Sequence, residues 1–138
     1  MNEANYITKF NWWFSLVLFL LIWPMFVGPY IAFTNPTFFG GPDVSEMTLS
    51  SSLYVARNLA VGLSFLIAIY LRNSPMLFIL IVIRLVTDLI DAPAFYIFNE
   101  SNLIGLIIIF ILLCYLPAII GLRYLWKQMK LNNSGDVI

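Results

Sequence analysis

The stretch Leu77-Phe-Ile-Leu-Ile-Val-Ile-Arg84-Leu-Val-Thr-Asp88-Leu-Ile-Asp91-Ala-Pro93 decides the fold. It is long and apolar enough to lie within a membrane span, yet it contains one arginine and two aspartates. Steps of four and then three residues place Arg84, Asp88 and Asp91 on one face of a helix. Charges inside a membrane are costly and by default mark something that the protein uses, so this face is the candidate site.

The composition of the whole chain is that of a membrane protein. Of its 138 residues, 62% are hydrophobic and 10% are charged, and the mean hydropathy is +0.93. A soluble domain is usually about 45–50% apolar and about 25% charged. The length suits one domain covering residues 1–138. Seven basic and seven acidic residues give no net charge, so nothing favours a nucleic-acid partner.

The residue types that the chain lacks exclude several kinds of site. The chain contains no histidine, which removes the commonest metal ligand and the commonest general base. Cys114 is the single cysteine, so an internal disulfide and a CxxC redox pair are both excluded. We therefore predict no metal site and no catalytic residue, and we expect Cys114 to be a small buried hydrophobic side chain.

Four apolar segments predict four membrane spans, at about residues 12–33, 52–71, 75–98 and 103–126. About 20 helical residues cross roughly 30 Å of hydrocarbon. The first segment is too long for a signal peptide, so we interpret it as a retained span. The short turn before Pro75, with Ser74 as the predicted helix cap, makes spans 2 and 3 antiparallel neighbours. The predicted fold class is all-α, a four-helix transmembrane bundle.

The distribution of charge along the chain predicts its orientation. The basic residues outside the predicted span interiors flank one side of the bundle: Lys9, Arg72, Arg123, Lys127 and Lys130. The segments on the opposite side carry only acidic residues: Asp43, Glu46 and Glu100. The positive-inside rule therefore places both the N- and the C-terminus in the cytoplasm.

This orientation brings the polar residues of spans 2 and 3 to a similar depth in the outer half of the membrane. The predicted ligand-binding residues are Arg57, Asn58, Arg84, Asp88 and Asp91. Arg84 can pair with Asp88 along its helix, and Arg57 can pair with Asp88 or Asp91 across helices. Two arginines and two aspartates sum to zero, as burial of a charged cluster requires.

Small residues on span 2 predict which of its faces is buried. Ala60, Ser64 and Ala68 follow Arg57 in steps of three and four, and small residues in such steps allow close helix packing. We therefore expect this face, with Arg57, to point into the bundle and Asn58 to lie on its flank.

Three interpretations of the charged cluster stay open. In one, it is the polar floor of an outer-facing pocket for a lipid, a quinone or another small hydrophobic molecule. In another, it is an ion network that fixes helix packing in a structural or assembly subunit. In the third, Asp88 or Asp91 accepts a proton in an enzyme or a proton-coupled carrier. The expected partners are membrane lipids, and a partner subunit or a second copy of the chain is compatible with all three.

A family resemblance rests on the middle of the chain, about residues 52–95. The segment Tyr54-Val-Ala-Arg57-Asn58-Leu-Ala60-Val-Gly62-Leu, followed by Arg84-Leu-Val-Thr-Asp88-Leu-Ile-Asp91, resembles the DoxX-like group of small four-span bacterial membrane proteins. The third span reads Arg-x-x-x-Asp here, where the group has an Arg-x-x-Asp type. The resemblance implies a multi-pass four-helix bundle in the bacterial inner membrane. The members that give the group its name are linked to a quinone-reducing oxidoreductase, and this activity is not carried over to a chain that matches only these short motifs. A more distant likeness is to four-span sterol-isomerase-like bundles, which also place carboxylates in the membrane.

Overall fold

A computed structural model describes residues 11–37, 46–98, 108 and 111–135, and these ranges contain helices joined by turns and no strand. The helices are α1, Trp12–Thr34, α2, Leu49–Tyr70, and α3, Ser74–Phe98. A π-helix, Ile111–Tyr115, then runs directly into α4, Leu116–Gly135. The predicted all-α class is confirmed for this part of the chain. Lys9, the acidic loop around Asp43 and the turn at 99–102 lie outside the described residues.

Asparagine and threonine side chains fix where α2 and α3 begin. The Thr48 hydroxyl accepts a hydrogen bond from the backbone N–H of Ser51 at 3.2 Å, so α2 starts at Leu49, ahead of the predicted position. Asn73 Oδ1 accepts one from the N–H of Met76 at 3.0 Å and thereby caps α3. Ser74, which we predicted as the cap, is instead the first residue of the helix.

The turn between α2 and α3 closes in three residues. The backbone N–H of Asn73 donates to the carbonyl of Ala68, and that of Arg72 donates to the carbonyl of Ile69. This pattern ends a helix with one residue in the left-handed conformation, and here that residue is Arg72, with φ of 50°. So tight a turn makes α2 and α3 antiparallel neighbours, as the sequence predicted.

The four helices contact one another in a ring: α1 packs against α2 and α4, and α3 packs against the same two. The largest fully buried apolar side chains come from all four helices: Phe14, Leu21, Met25, Phe65, Leu77, Ile81 and Leu125. Aromatic rings close the end near the α2–α3 turn, where Tyr124 lies 4.5 Å from Phe14 and 4.8 Å from Trp13, measured between ring centroids.

The helices α1 and α2, with 23 and 22 residues, are long and apolar enough to cross a membrane. Only 39% and 28% of their most apolar stretches are buried, whereas a core helix of a soluble protein is mostly buried. The helix α3 has 25 residues and contains Arg84, Asp88 and Asp91. All four helices expose large apolar side chains, among them Leu16, Phe19, Trp23, Leu63, Ile67, Ile79, Val86, Leu89, Leu112 and Ile119.

The buried face of α2 differs from the predicted one. Ala60 is exposed and the Arg57 side chain is 42% exposed, so the prediction that this face points inward is wrong for these two residues, whereas Ala68 is buried as predicted. The buried residues are Ser51, Val55, Asn58, Gly62, Phe65 and Ala68. Gly62 explains the choice, because a Cβ there would lie 3.1 Å from the Phe26 ring of α1. The missing side chain lets α1 approach on this face.

Candidate functional site

The centre of the site is an ion pair along α3. Arg84 Nη2 lies 2.9 Å from Asp88 Oδ1, one helical turn further on. The two side chains are only 9% and 3% exposed. The predicted pairing along the helix is therefore confirmed. Burial makes the pairing necessary. An unpaired charge that is taken out of water costs on the order of several kcal/mol even after the surrounding protein has relaxed.

The second partner of Arg84 comes from α2. Arg84 Nη1 donates a hydrogen bond to Asn58 Oδ1 at 3.1 Å, and Asn58 Nδ2 donates to the backbone carbonyl of Tyr54 at 2.9 Å. A planar guanidinium can reach two acceptors in different directions with its separate N–H groups. Asn58 is therefore a buried member of the cluster, and the prediction that it lies on the flank is wrong.

The other predicted residues form a second ion pair at the edge of the cluster. Arg57 Nη2 of α2 donates to Asp91 Oδ2 of α3, which selects Asp91 from the two predicted partners. The Asp91 side chain is 18% exposed and that of Arg57 42% exposed. The long arginine side chain reaches across from the exposed side of α2, so its Cα need not lie on the buried face.

One oxygen in the centre of the cluster has no hydrogen-bond donor. Asp88 is only 2% exposed. Its Oδ2 atom is buried and accepts no hydrogen bond from any residue that the structure describes. Buried polar atoms are nearly always paired, and leaving one unpaired costs about 1–3 kcal/mol. The cluster thus balances its charges but not its hydrogen bonds.

Sequence reasoning missed two residues of this cluster. Tyr54 lies within electrostatic range of all four charges, and its hydroxyl packs so closely on Gly28 of α1 that a Cβ there would be 2.5 Å away. Cys114 is buried and lies close enough to interact with both Asp88 and Arg84. The prediction that Cys114 is buried is confirmed, but its surroundings are polar on one side.

Both residues leave a signal in the sequence. Tyr54 precedes Arg57 and Asn58 by three and four residues, about one turn, so it is a neighbour of both on the surface of α2. Cys114 and Asp88 are each about a dozen residues from the predicted turn at 99–102, about 17 Å at 1.5 Å per residue, so they lie at similar depth.

Pro117 accounts for the π-helix that carries Cys114. Proline has no N–H, so the carbonyl of Leu113 loses the hydrogen bond that it would accept in a regular α-helix. The turn before the proline can then widen to the π form seen at Ile111–Tyr115. A π-turn contains an extra residue and shifts the side chains before it around the helix axis relative to those after it, so it affects which side chain faces α3.

The chain matches no family model, no curated protein and no solved structure. The resemblance to the DoxX-like group therefore stays a prediction.

Proposed function

We propose that the chain is a multi-pass protein of the bacterial inner membrane, a four-helix transmembrane bundle with both termini in the cytoplasm. Three observations support this proposal. The helices pack in a ring, and the outside of that ring is rich in large apolar side chains. Exposed basic residues, Arg72, Arg123 and Lys127, lie at the end that holds the α2–α3 turn and the end of α4.

Cysteine labelling in intact cells tests the orientation. In a Cys114→Ser background, a membrane-impermeant maleimide should label Glu46→Cys from outside and should label Lys130→Cys only after the cells are opened. External labelling of Lys130→Cys would contradict the proposed orientation.

Within this membrane protein, the cluster serves to bind a small amphiphilic molecule, a lipid or a quinone, by its polar head. The observation that carries the proposal is the buried Asp88 Oδ2 without a donor. A polar group from a bound molecule would complete its hydrogen bonding, and the partly exposed side chains of Arg57 and Asp91 would border the entry. Polar groups that converge inside apolar walls are typical of small-molecule sites. The resemblance to the DoxX-like group suggests that such binding serves a redox complex.

Mass spectrometry of molecules that co-purify with the protein tests binding. The wild type should carry a lipid or quinone that is absent from Asp88→Asn, while both remain folded and monodisperse in detergent. Lys127→Ala, an exposed change at the other end of the helices, should retain the molecule. The same lipid profile in the wild type and in Asp88→Asn would contradict the proposal.

A second candidate function is structural: the cluster fixes α2 against α3, and the chain is an assembly subunit. It is favoured by the fact that both arginines have acidic partners and that Arg84 also binds Asn58 of the neighbouring helix. Under this alternative Asp88→Asn aggregates in detergent, and no molecule co-purifies with the wild type.

A further inference from the structure

We infer that the polar head bound at this cluster is a neutral hydrogen-bond donor, an alcohol or a phenol, so that a molecule of the quinone class would bind in its reduced, hydroxyl-bearing form and carbonyl heads are disfavoured. This inference rests on the proposed binding function and names the chemical class of the ligand. The proposed head group lies at Asp88 Oδ2, beside the neighbouring residues of α2 and of the π-helix.

The first argument is the type of atom left without a partner. Asp88 Oδ1 accepts from Arg84 Nη2, and Arg84 Nη1 donates to Asn58. Asp88 Oδ2 is the buried side-chain atom without a partner among the described residues. An ionised carboxylate oxygen can only accept a hydrogen bond. A hydroxyl therefore completes the cluster, whereas a carbonyl or ether oxygen brings a second acceptor against the first.

The second argument is charge. Arg57 and Arg84 balance Asp88 and Asp91, so the cluster is neutral before any ligand binds. An ammonium head would also donate to Asp88 Oδ2, but it would leave one uncompensated positive charge in a site that is largely out of water. Such a charge costs several kcal/mol, so the neutral donor is the better match.

The third argument is position. The Cys114 thiol of the π-helix lies within hydrogen-bonding reach of the Asp88 carboxylate, but a thiol is only a weak donor, so it does not replace a hydroxyl. Cys114 is also the only cysteine in the chain. A head group bound at Asp88 would lie beside its sulfur, and the rate at which Cys114 is alkylated therefore reports whether this place is occupied.

A matched pair of probes tests the inference: 4-dodecylphenol and its methyl ether, which has the same chain and ring but no donor. Binding of each to the full chain in detergent is titrated by native mass spectrometry, and Cys114 alkylation by N-ethylmaleimide locates the bound probe. The phenol should bind the wild type about tenfold more tightly or better, the value of a hydrogen bond to a charged group. It should also slow the alkylation, and Lys127→Ala should behave like the wild type.

Asp88→Asn should remove this preference. Its amide oxygen can still accept from Arg84, and the amide nitrogen then occupies the position of Oδ2 and donates. The ether becomes an acceptable partner, so the two affinities should come within about threefold of each other, since most of the roughly tenfold preference is lost.

The possible failures are distinguishable. If both probes bind the wild type equally and both slow Cys114 alkylation, the binding function stands and the donor inference is wrong. If neither probe binds the wild type, the donor inference is overturned, and the co-purification experiment decides the binding function separately. The comparison of the two probes on the wild type needs no variant, so it decides the inference even where Asp88→Asn fails to fold.

Discussion

Arg84 Nη1 donates a hydrogen bond to Asn58 Oδ1 at 3.1 Å and thereby joins α3 to α2 in the buried centre of the protein. Asn58 is 3% exposed, so water cannot replace it as the acceptor without a rearrangement. The contact connects two helices that are also joined by the short turn at Arg72. It divides the polar cluster into a buried part around Arg84 and a more exposed part around Arg57.

Replacing Asn58 should destabilise the protein clearly. Asn58→Ala removes the acceptor and leaves a buried N–H of a charged group unpaired, so the free energy of unfolding should fall by about 1.5–3 kcal/mol. Unfolding in mixed micelles with increasing denaturing detergent measures it. Leu63→Ala, an exposed change on the same helix, should stay within about 0.5 kcal/mol of the wild type. Equal losses in both variants would refute the assigned role of Asn58.

The two ion pairs should differ in their contribution to stability. Asp91→Asn breaks the partly exposed pair with Arg57 and should cost less than about 1 kcal/mol. Asp88→Ala leaves Arg84 buried and without its acidic partner, and it should cost about 3–5 kcal/mol. The same unfolding assay compares the two. If Asp91→Asn lowers the free energy of unfolding more than Asp88→Ala does, the Arg57–Asp91 pair contributes more to stability than the Arg84–Asp88 pair.

Gly28 should not tolerate a side chain while Tyr54 has its hydroxyl. A Cβ at position 28 would lie 2.5 Å from that oxygen and 3.3 Å from the ring carbon that carries it. Gly28→Ala should therefore cost about 1–3 kcal/mol. The double variant Gly28→Ala with Tyr54→Phe should lose less than the two single changes added together.

Gly121→Ala provides the control for this pair. Its new Cβ would meet the mobile end of the Ile81 side chain at 3.2 Å, so a smaller loss is expected. If Tyr54→Phe does not reduce the cost of Gly28→Ala, the close approach of the hydroxyl is not its cause.

Replacing Arg72 with glycine should stabilise the protein. Arg72 has a left-handed backbone, with φ of 50°, which costs a residue with a Cβ roughly 1 kcal/mol and costs glycine almost nothing. Arg72→Gly should therefore raise the free energy of unfolding by about 0.5–1 kcal/mol. Arg72→Ala keeps the Cβ and the strain while removing the charge, so it should give no such gain. A gain from both would attribute the effect to the loss of charge.

Much of the helical framework could be predicted from the sequence, because it depends on local signals. The start of α1 at Trp12 and the end of α3 at Phe98 agree with the lengths of the apolar segments. The helix α4 continues to Gly135, beyond the predicted end of the fourth span at Trp126. Polar residues can extend a membrane helix into water, so a change in hydropathy does not mark the end of a helix.

The pairing of Arg84 with Asp88 was predictable because it is set by helical spacing alone. The orientation of α2 was not, because two of its faces contain small residues. Gly62 with Ala68 on one face and Ala60 with Ser64 on the other both permit close packing, and the choice depends on which face fits Phe26 of the neighbouring helix. Side-chain length also explains why Arg57 and Asn58 were assigned to the wrong faces. Arg57 is long enough to reach its partner from the exposed side of α2, whereas Asn58 is too short and must lie on the buried face.

In the proposed membrane placement, the charges of α3 also bear on how the protein is inserted. A segment with Arg84, Asp88 and Asp91 partitions poorly into lipid alone, since each charge near the centre of a span costs about 2.5–3.5 kcal/mol during insertion. The acceptor on Asn58 and the counter-charge on Arg57 come from the preceding helix, only a three-residue turn away. In a membrane, α2 and α3 would therefore leave the insertion machinery together as a hairpin, with α2 retained beside the channel until α3 has been synthesised.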